Sequence, residues 1–418
     1  MADLSGPCNL REYSWKSSQV PASMFRRHAE VAAPADMRAE ERLLPGESPT
    51  LYRLLSISPR ATKLTIRSFI TKKDGYDRNH GPIPIIDAKD HRVSVDGAVR
   101  DPLSLSLADL QALPQHSVIC ALQCAGNRRH TMRTEMKEVN GIDWFDGAVM
   151  NCKWRGPRLR DVLLKAGVEI ERAKWADAHV AFACHQTPCQ DDEWYGASIP
   201  LARAMSEDAD VLVALEMNEV PLTPNHGYPV RIVTPGIAGA RSVKWLDRIT
   251  VQSVESANFY QQHDYKILPP EVDSPEKAKD FWHRVPAIQD MPVNSVIGMP
   301  TNGATVRRDE DGKIEVRGYA LPSGTGGPVV KVEVSVDGGK AWQDAQILGR
   351  NDMIEDGTSL KWAWCLWHAK LEAEKGKGKR ILSRATDKAG NVQEERSQWN
   401  LRGCAYNGYG EVKDVEIV

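Results

Sequence analysis

The residues best suited to do chemistry meet in Leu122-Gln-Cys-Ala-Gly-Asn-Arg-Arg129, where a cysteine and two arginines leave the end of an apolar run together. The thiolate, not the thiol, binds metals and attacks electrophiles, and Arg128 and Arg129 beside Cys124 favour that ionised form. Soft thiolates suit soft or redox-active metals. The plainer reading of Cys124 is a small buried hydrophobe in a strand.

A second cluster lies in His226-Gly-Tyr-Pro-Val-Arg231, Pro235-Gly-Ile-Ala-Gly239 and Ala240-Arg-Ser-Val-Lys-Trp245. It sets His226, Arg231, Arg241 and Lys244 around a run of small residues, where backbone can approach a ligand closely. Arginine forks match phosphate oxygens and lysine serves as a point charge, so the cluster suits a phosphate-bearing cofactor. It carries no Walker or dinucleotide fingerprint. Upstream, Tyr76-Asp-Arg-Asn-His-Gly-Pro-Ile-Pro84 holds Arg78 and His80 on a Gly- and Pro-rich turn, either a site loop or an ordinary solvated one. Cys184-His-Gln-Thr-Pro-Cys189 invites a zinc reading, but a second ligand pair at the usual spacing is missing.

The elements that must position these groups are legible. Ser117-Val-Ile-Cys-Ala-Leu122 has the length and β-branched content of a buried strand, and Gly126-Asn127 is a turn that ends it, which puts Cys124 at the strand's mouth. Strands are expected over 91–99 and 178–184. Helices are expected over 106–113, ended by Pro114, over 158–166, closing on Gly167, and from Ile199. Residues 211–217 read as a buried strand or helix.

From about residue 295 the pattern changes. Val330, Val332, Val334 and Val336 alternate with Lys331, Glu333 and Ser335, Asp337-Gly-Gly turns the chain, and 361–367 and 380–386 read as further strands. The expected fold class is therefore an α+β domain followed by an all-β immunoglobulin-like sandwich, without a Cys…Trp…Cys disulfide core. The boundaries expected are an N-terminal extension over 1–65, with one short helix at 35–44, a first domain over 66–288 and a second over 289–418.

Composition agrees with two soluble domains. A chain of 418 residues is too long for one ordinary core. Its 41% hydrophobic and 26% charged residues are those of a globular protein, and a net charge of −2 argues against nucleic acid or an anionic membrane as partner. No run reaches the ~18 apolar residues of a membrane span, and the N-terminus lacks a secretory pattern. Eight scattered cysteines make no disulfide framework and fit a reducing compartment. The cytoplasm is expected first, with peroxisome or mitochondrion open.

The Cys124-Ala-Gly-Asn-Arg-Arg129 string resembles the molybdenum-ligand loop of the sulfite oxidase family. The likeness, especially to the compact haem-free plant and fungal type, extends over roughly 66–405. It implies a molybdopterin-binding α+β domain, then an immunoglobulin-like dimerisation domain, and so a homodimer. It implies that Cys124 ligates molybdenum, and that Arg78, Arg129 and Arg402 (in Trp-Asn-Leu-Arg-Gly) form a cationic pocket for the substrate oxyanion. Tyr265 in His-Asp-Tyr-Lys matches a hydrogen-bond donor near the metal's oxo group, and Trp144 in Gly-Ile-Asp-Trp a wall of the substrate pocket. Arg78, Asn79, His80, His226, Arg231, Arg241, Ser242 and Lys244 match segments that hold the pterin and its phosphate.

Two departures stand out: Asn140 where vertebrate enzymes have lysine, and Gln186 near where many members place a cofactor-contacting aspartate. The loop 184–194 contains an insertion and is left out of the expected site. The implied reaction oxidises sulfite to sulfate by oxygen-atom transfer from a molybdenum oxo centre. Two electrons then pass to oxygen or, second, to cytochrome c, and molybdenum pyranopterin is the cofactor, with no haem and no flavin. Nitrate reductases of the same family run the transfer in reverse and typically lack arginine at the position of Arg402. A non-catalytic β-sandwich binding protein, with Cys124 in its core, is the reading from another class.

Overall fold

The apolar run that carries Cys120 becomes the strand Gln115–Gln123, paired antiparallel with Val149–Pro157 from Gln115 opposite Pro157 to Gln123 opposite Val149. The computed structural model describes residues 56–57, 69–71, 75–348 and 359–418. The helix expected at 35–44, like most of the expected extension, lies outside the described residues. Ser56–Ile57 pairs antiparallel with Asp77–Arg78, so the strand carrying Arg78 is held from one side.

Gln115–Gln123 stops where its backbone turns. The Asn127 N–H donates to the Cys124 carbonyl at 3.0 Å and that of Arg129 to Gly126 at 2.9 Å. Arg128 takes the left-handed conformation with φ 67°, and the helix Arg129–Glu135 begins. Cys124 therefore sits at the strand's mouth, as its sequence setting implies.

A five-stranded sheet forms the other wall of the first half, in the order Leu103–Ser106, Arg92–Gly97, Arg248–Gln252, His179–Cys184, Tyr195–Pro200. Its central pair is parallel, Arg248–Gln252 on Arg92–Gly97. The helices Leu107–Ala112 and Leu159–Ala166 pack on it, burying Leu110, Leu159, Val162 and Leu163 against Val93, Val95, Phe182 and Ile249. Ser106 and Asp109 form a capping box at the first helix. Gly167 closes the second at φ 71°, where a side chain would be strained. The 211–217 run resolves as two short strands, Leu212–Ala214 and Glu216–Met217, and the helix expected from Ile199 starts at Leu201.

The second half is an immunoglobulin-like sandwich of a four-stranded and a five-stranded sheet. Its core contains Val316, Val332, Val334, Trp367, Ile381 and Val415. One valine breaks the expected alternation. A register shift between Val329 and Lys331 turns Val329 inward and leaves Val330 43% exposed, the usual effect of a bulge on strand facing. The strand expected over 361–367 starts at Cys365, because Trp362 and Trp364 are recruited elsewhere. The Trp362 carbonyl accepts from the Ala121 N–H at 3.0 Å, and Trp364 Nε1 donates to the Phe69 carbonyl at 2.8 Å. Among the described residues no helix is long and apolar enough to cross a membrane.

The two halves are joined through Arg128. Its Nη1 donates to Asn294 Oδ1 at 2.8 Å and to the Gly408 carbonyl at 2.6 Å, its Nη2 to the Tyr409 carbonyl at 2.7 Å, and it lies 4.6 Å from the Tyr406 ring centre. Arg128→Met would strip these acceptors of their charged donor, with Gln393 Nε2 still reaching Asn294 Oδ1 and the Gly408 carbonyl, at a cost of about 2 kcal/mol. The expected result is a lower urea midpoint with an unchanged denaturant slope. A wild-type midpoint would show that the junction does not rest on this side chain.

Candidate active site

A cleft of about 700 Å3, counting its open mouth, lies where Asp77–Arg78, the end of Gln115–Gln123 and the loops around 239–245 and 265 converge. Tyr76, Arg78, Asn79, His80, Leu122, Arg231, Ser242, Lys244 and Tyr265 line it. Cys124 is buried and packs in one cluster with Tyr76, Trp144 and Ala148. Its sulfur accepts the Gly126 N–H at 3.4 Å. Burial, then the neighbouring Cys124 and Tyr265, hold the Tyr76 phenol well above its ordinary pKa, so it stays protonated.

One wall is cationic. Lys244 Nζ donates to Asp77 Oδ1 at 2.5 Å, Asn79 Oδ1 at 2.7 Å and the Asn225 carbonyl at 2.6 Å, while burial pulls its pKa down to about 8. Arg231 spends Nη1 on the His226 carbonyl and Nη2 on that of Ser242, both at 3.0 Å; burial lowers it to about 10. Ser242 Oγ accepts from the Thr234 N–H. Arg241 is fully buried, its guanidinium on the carbonyls of Ile288, Tyr260 and Tyr265. It braces the wall from behind.

These residues fit an anionic, hydrogen-bond-rich cofactor held beside a thiolate. His226 Nδ1 is buried without a partner among the described residues, and burial pushes the imidazole down to about 4, so the ring is neutral. At Gly227, φ 102°, an added Cβ would come within 3.0 Å of Lys244 Cβ and 3.1 Å of Arg231 Cβ, so glycine keeps those two cations side by side.

The opposite side also carries guanidiniums. Arg402, from the sandwich half, donates Nε and Nη2 to the two oxygens of Asp264, both at 2.9 Å. Burial opposes its charge, but Asp264, Cys404 and Tyr265 together outweigh burial and raise its pKa. Arg129 is buried with Nε on the Arg402 carbonyl and Nη1 on that of Ile142, both at 2.8 Å, so it fixes the Arg402 backbone and adds charge from below. Arg78 Nη2 reaches His80 Nδ1 at 3.3 Å and Gln190 Oε1 at 3.0 Å.

His80 Nε2 lies 2.6 Å from the Tyr265 hydroxyl. Burial, then Arg78 and Arg402, keep His80 well below its ordinary pKa, hence neutral. With Nδ1 accepting from Arg78, Nε2 carries the proton and donates to Tyr265, whose own hydroxyl hydrogen is freed for another acceptor.

The structure thus brings Cys124, Arg78, His80, Tyr265, Trp144 and Arg402 into one region, with Asn79 and Lys244 bonded to each other in its wall. It also corrects the exclusion of the 184–194 loop. Thr187 and Cys189 line the cleft and Gln190 touches Arg78. The sequence signal was Gly81, where an added Cβ would lie 2.1 Å from the Pro188 carbonyl, so the loop rests directly on the Arg78 turn. Gln186 instead turns to Asp247 Oδ2 at 2.9 Å on the exposed side. Asn140 donates its backbone N–H to the Leu401 carbonyl, next to Arg402. Asp264 and Tyr76 were missed as well, although both adjoin residues of the motifs.

Residues 80–260 match the model of an oxidoreductase molybdopterin binding domain, and 285–416 that of a Mo-co oxidoreductase dimerisation domain. Mitochondrial sulfite oxidase of Rattus norvegicus is 43% identical over 362 residues, 85% of this chain and 63% of that protein. The chain spans about three fifths of the length of such animal relatives. Sulfite oxidase of Arabidopsis thaliana is 39% identical over 83% of this chain and 88% of its own. An NADH nitrate reductase of Volvox carteri is 35% identical over 96% of this chain but 46% of its own. The crystal structure of sulfane dehydrogenase SoxCD from Paracoccus pantotrophus shares the fold, with TM-score 0.67 at 24% identity over 96% of this chain and all of that one. Matching a plant sulfite oxidase along most of both lengths, with both domain models in order, this chain belongs to the sulfite oxidase family.

Proposed function

We propose that this protein oxidises sulfite to sulfate with a molybdenum pyranopterin cofactor. The observation that carries the reading is the convergence of Arg78 and Arg402, from opposite halves of the chain, on the His80–Tyr265 pair beside Cys124. When bound, the cofactor supplies oxygen-atom transfer and takes up two electrons. Cys124 would ligate molybdenum. Asn79, His226, Ser242 and Lys244 would hold the pterin and its phosphate, on a wall braced by Arg231 and Arg241.

The chain's own residues bind and orient the anion. Arg78 and Arg402 take its oxygens as charge-assisted hydrogen bonds, and Arg129 adds positive charge beneath. The freed Tyr265 hydroxyl donates into the site. Trp144 and Tyr76, edge to face at 6.0 Å, close the side beside Cys124 to water. Electrons pass to an outside acceptor, oxygen first and a c-type cytochrome second; no haem or flavin belongs to this reading.

The segments 66–288 and 289–418 are proposed as catalytic and dimer-forming domains of a homodimer, with 1–65 as an extension. Seven free thiols among the described residues support a reducing compartment, the cytoplasm first. Nitrate reduction is the second reading, on the Volvox similarity, and Arg402 weighs against it.

The purified, molybdenum-loaded protein is expected to reduce ferricyanide rapidly and only with sulfite present. Inactivity at full molybdenum content would move the assignment to another oxyanion. Cys124→Ser is expected to keep fold and cofactor but lose turnover, since a hydroxyl replaces a soft thiolate poorly; normal turnover would remove Cys124 from the metal. Arg402→Met should raise the KM for sulfite roughly tenfold or more, about 1.4 kcal/mol of lost charge-assisted bonding. An unchanged KM would mean that Arg402 does not reach the anion.

A further inference from the structure

We propose that Asp264 is a positioning residue of the anion site, a single carboxylate that sets the plane of Arg402 and the backbone of Tyr265 together. The inference rests on the anion-binding reading above and deepens it. Asp264 is 4% exposed, and both its oxygens are spent within the site. Oδ1 accepts from Arg402 Nε at 2.9 Å and from the Tyr265 N–H at 2.7 Å, and Oδ2 accepts from Arg402 Nη2 at 2.9 Å. The clamp does not use Nη1 of Arg402, which keeps that nitrogen for an anion.

Two further features make this more than a surface ion pair. Tyr265 adopts a left-handed backbone, φ 46°, which a non-glycine residue holds only when its surroundings impose it. The Asp264–Tyr265 bond, the Ile288 N–H on the Tyr265 carbonyl at 2.9 Å and the Arg241 guanidinium 3.5 Å from the same oxygen hold it there. The Tyr265 hydroxyl then meets His80 at 2.6 Å, and His80 meets Arg78 at 3.3 Å. Arg402, Asp264, Tyr265, His80 and Arg78 therefore form one bonded chain, so the carboxylate fixes the spacing between the two guanidiniums as well as the angle of one. A bidentate fork fixes orientation in a way a point contact does not.

The test is a double-mutant cycle on sulfate binding, read by titration calorimetry on molybdenum-loaded protein, with sulfite turnover measured in parallel. Asp264→Asn keeps the shape but presents an N–H group where Arg402 needs an acceptor. It is expected to weaken sulfate binding at least tenfold when Arg402 is present, and less than twofold in the Arg402→Met background. A merely structural role would weaken binding equally in both backgrounds, and that result, or no weakening, overturns the proposal. Absence of sulfate binding by the wild-type protein overturns it too. If Asp264→Asn does not fold, Asp264→Glu carries the same cycle, since it keeps the charge but displaces the fork by one methylene. A coupled cycle without sulfite turnover would leave Asp264 in place and remove the sulfite reading; turnover with an additive cycle would do the reverse.

Discussion

Arg128, Arg129, Arg231, Arg241 and Lys266 are all withdrawn from water in this fold, and burying an ion is tolerable only where fixed dipoles or counter-charges replace its hydration. Much of the architecture around the cleft answers that demand. Backbone carbonyls from both halves turn inward to meet the guanidiniums, and the turns that present them, around 288, 402 and 408, are irregular because a regular strand would have spent those carbonyls on its neighbour. The result is a rigid positive lining whose charges are mostly held by neutral dipoles. Asp77 and Asp264 are the carboxylates that face the cleft's cations directly, one on Lys244 and one on Arg402.

The division of labour follows from this. On the Lys244 side, burial depresses the lysine's pKa, and the negative charge of the proposed cofactor would offset that burial. On the Arg402 side, a carboxylate already balances one guanidinium, so the dianion proposed to bind there would not be gripped through three uncompensated charges. Cys124 lies between the two sides, fixed by the turn at Gly126 and by the Ala405 N–H, which donates to the Ala125 carbonyl at 2.7 Å. The thiol that would hold the metal and the arginine that would hold the substrate are thus tied through three residues of the sandwich half.

Much of this was legible in the sequence. The strand ending at Gln123 and the helix closing on Gly167 were marked by local signals, periodicity and a C-terminal glycine. The site residues were named by motif, and the structure gathers most of them. What the sequence did not reveal depends on contacts between distant segments. Trp362 and Trp364 read as strand residues because their local pattern is that of a strand; packing against Cys120 and Ile119 from the first half overrides it. Val330 faces out because of a one-residue register shift that no alternation pattern announces. Arg129 and Arg241 were expected at a ligand, and residue type alone could not show that carbonyls of other loops had already claimed their hydrogens. The 184–194 loop was set aside for its insertion, yet the glycine at 81 is what lets it lie on Arg78.

The proposed anion site draws Arg78 and Arg402 from segments far apart in the chain. A ribosome delivers the thiol loop, the tyrosine and the carboxylate well before the guanidinium that completes their constellation. Asp264 and Tyr265 have no Arg402 to hold until the sandwich half packs against the first. The proposed anion site is thus a product of tertiary folding, since no contiguous stretch of the chain holds both of its guanidiniums.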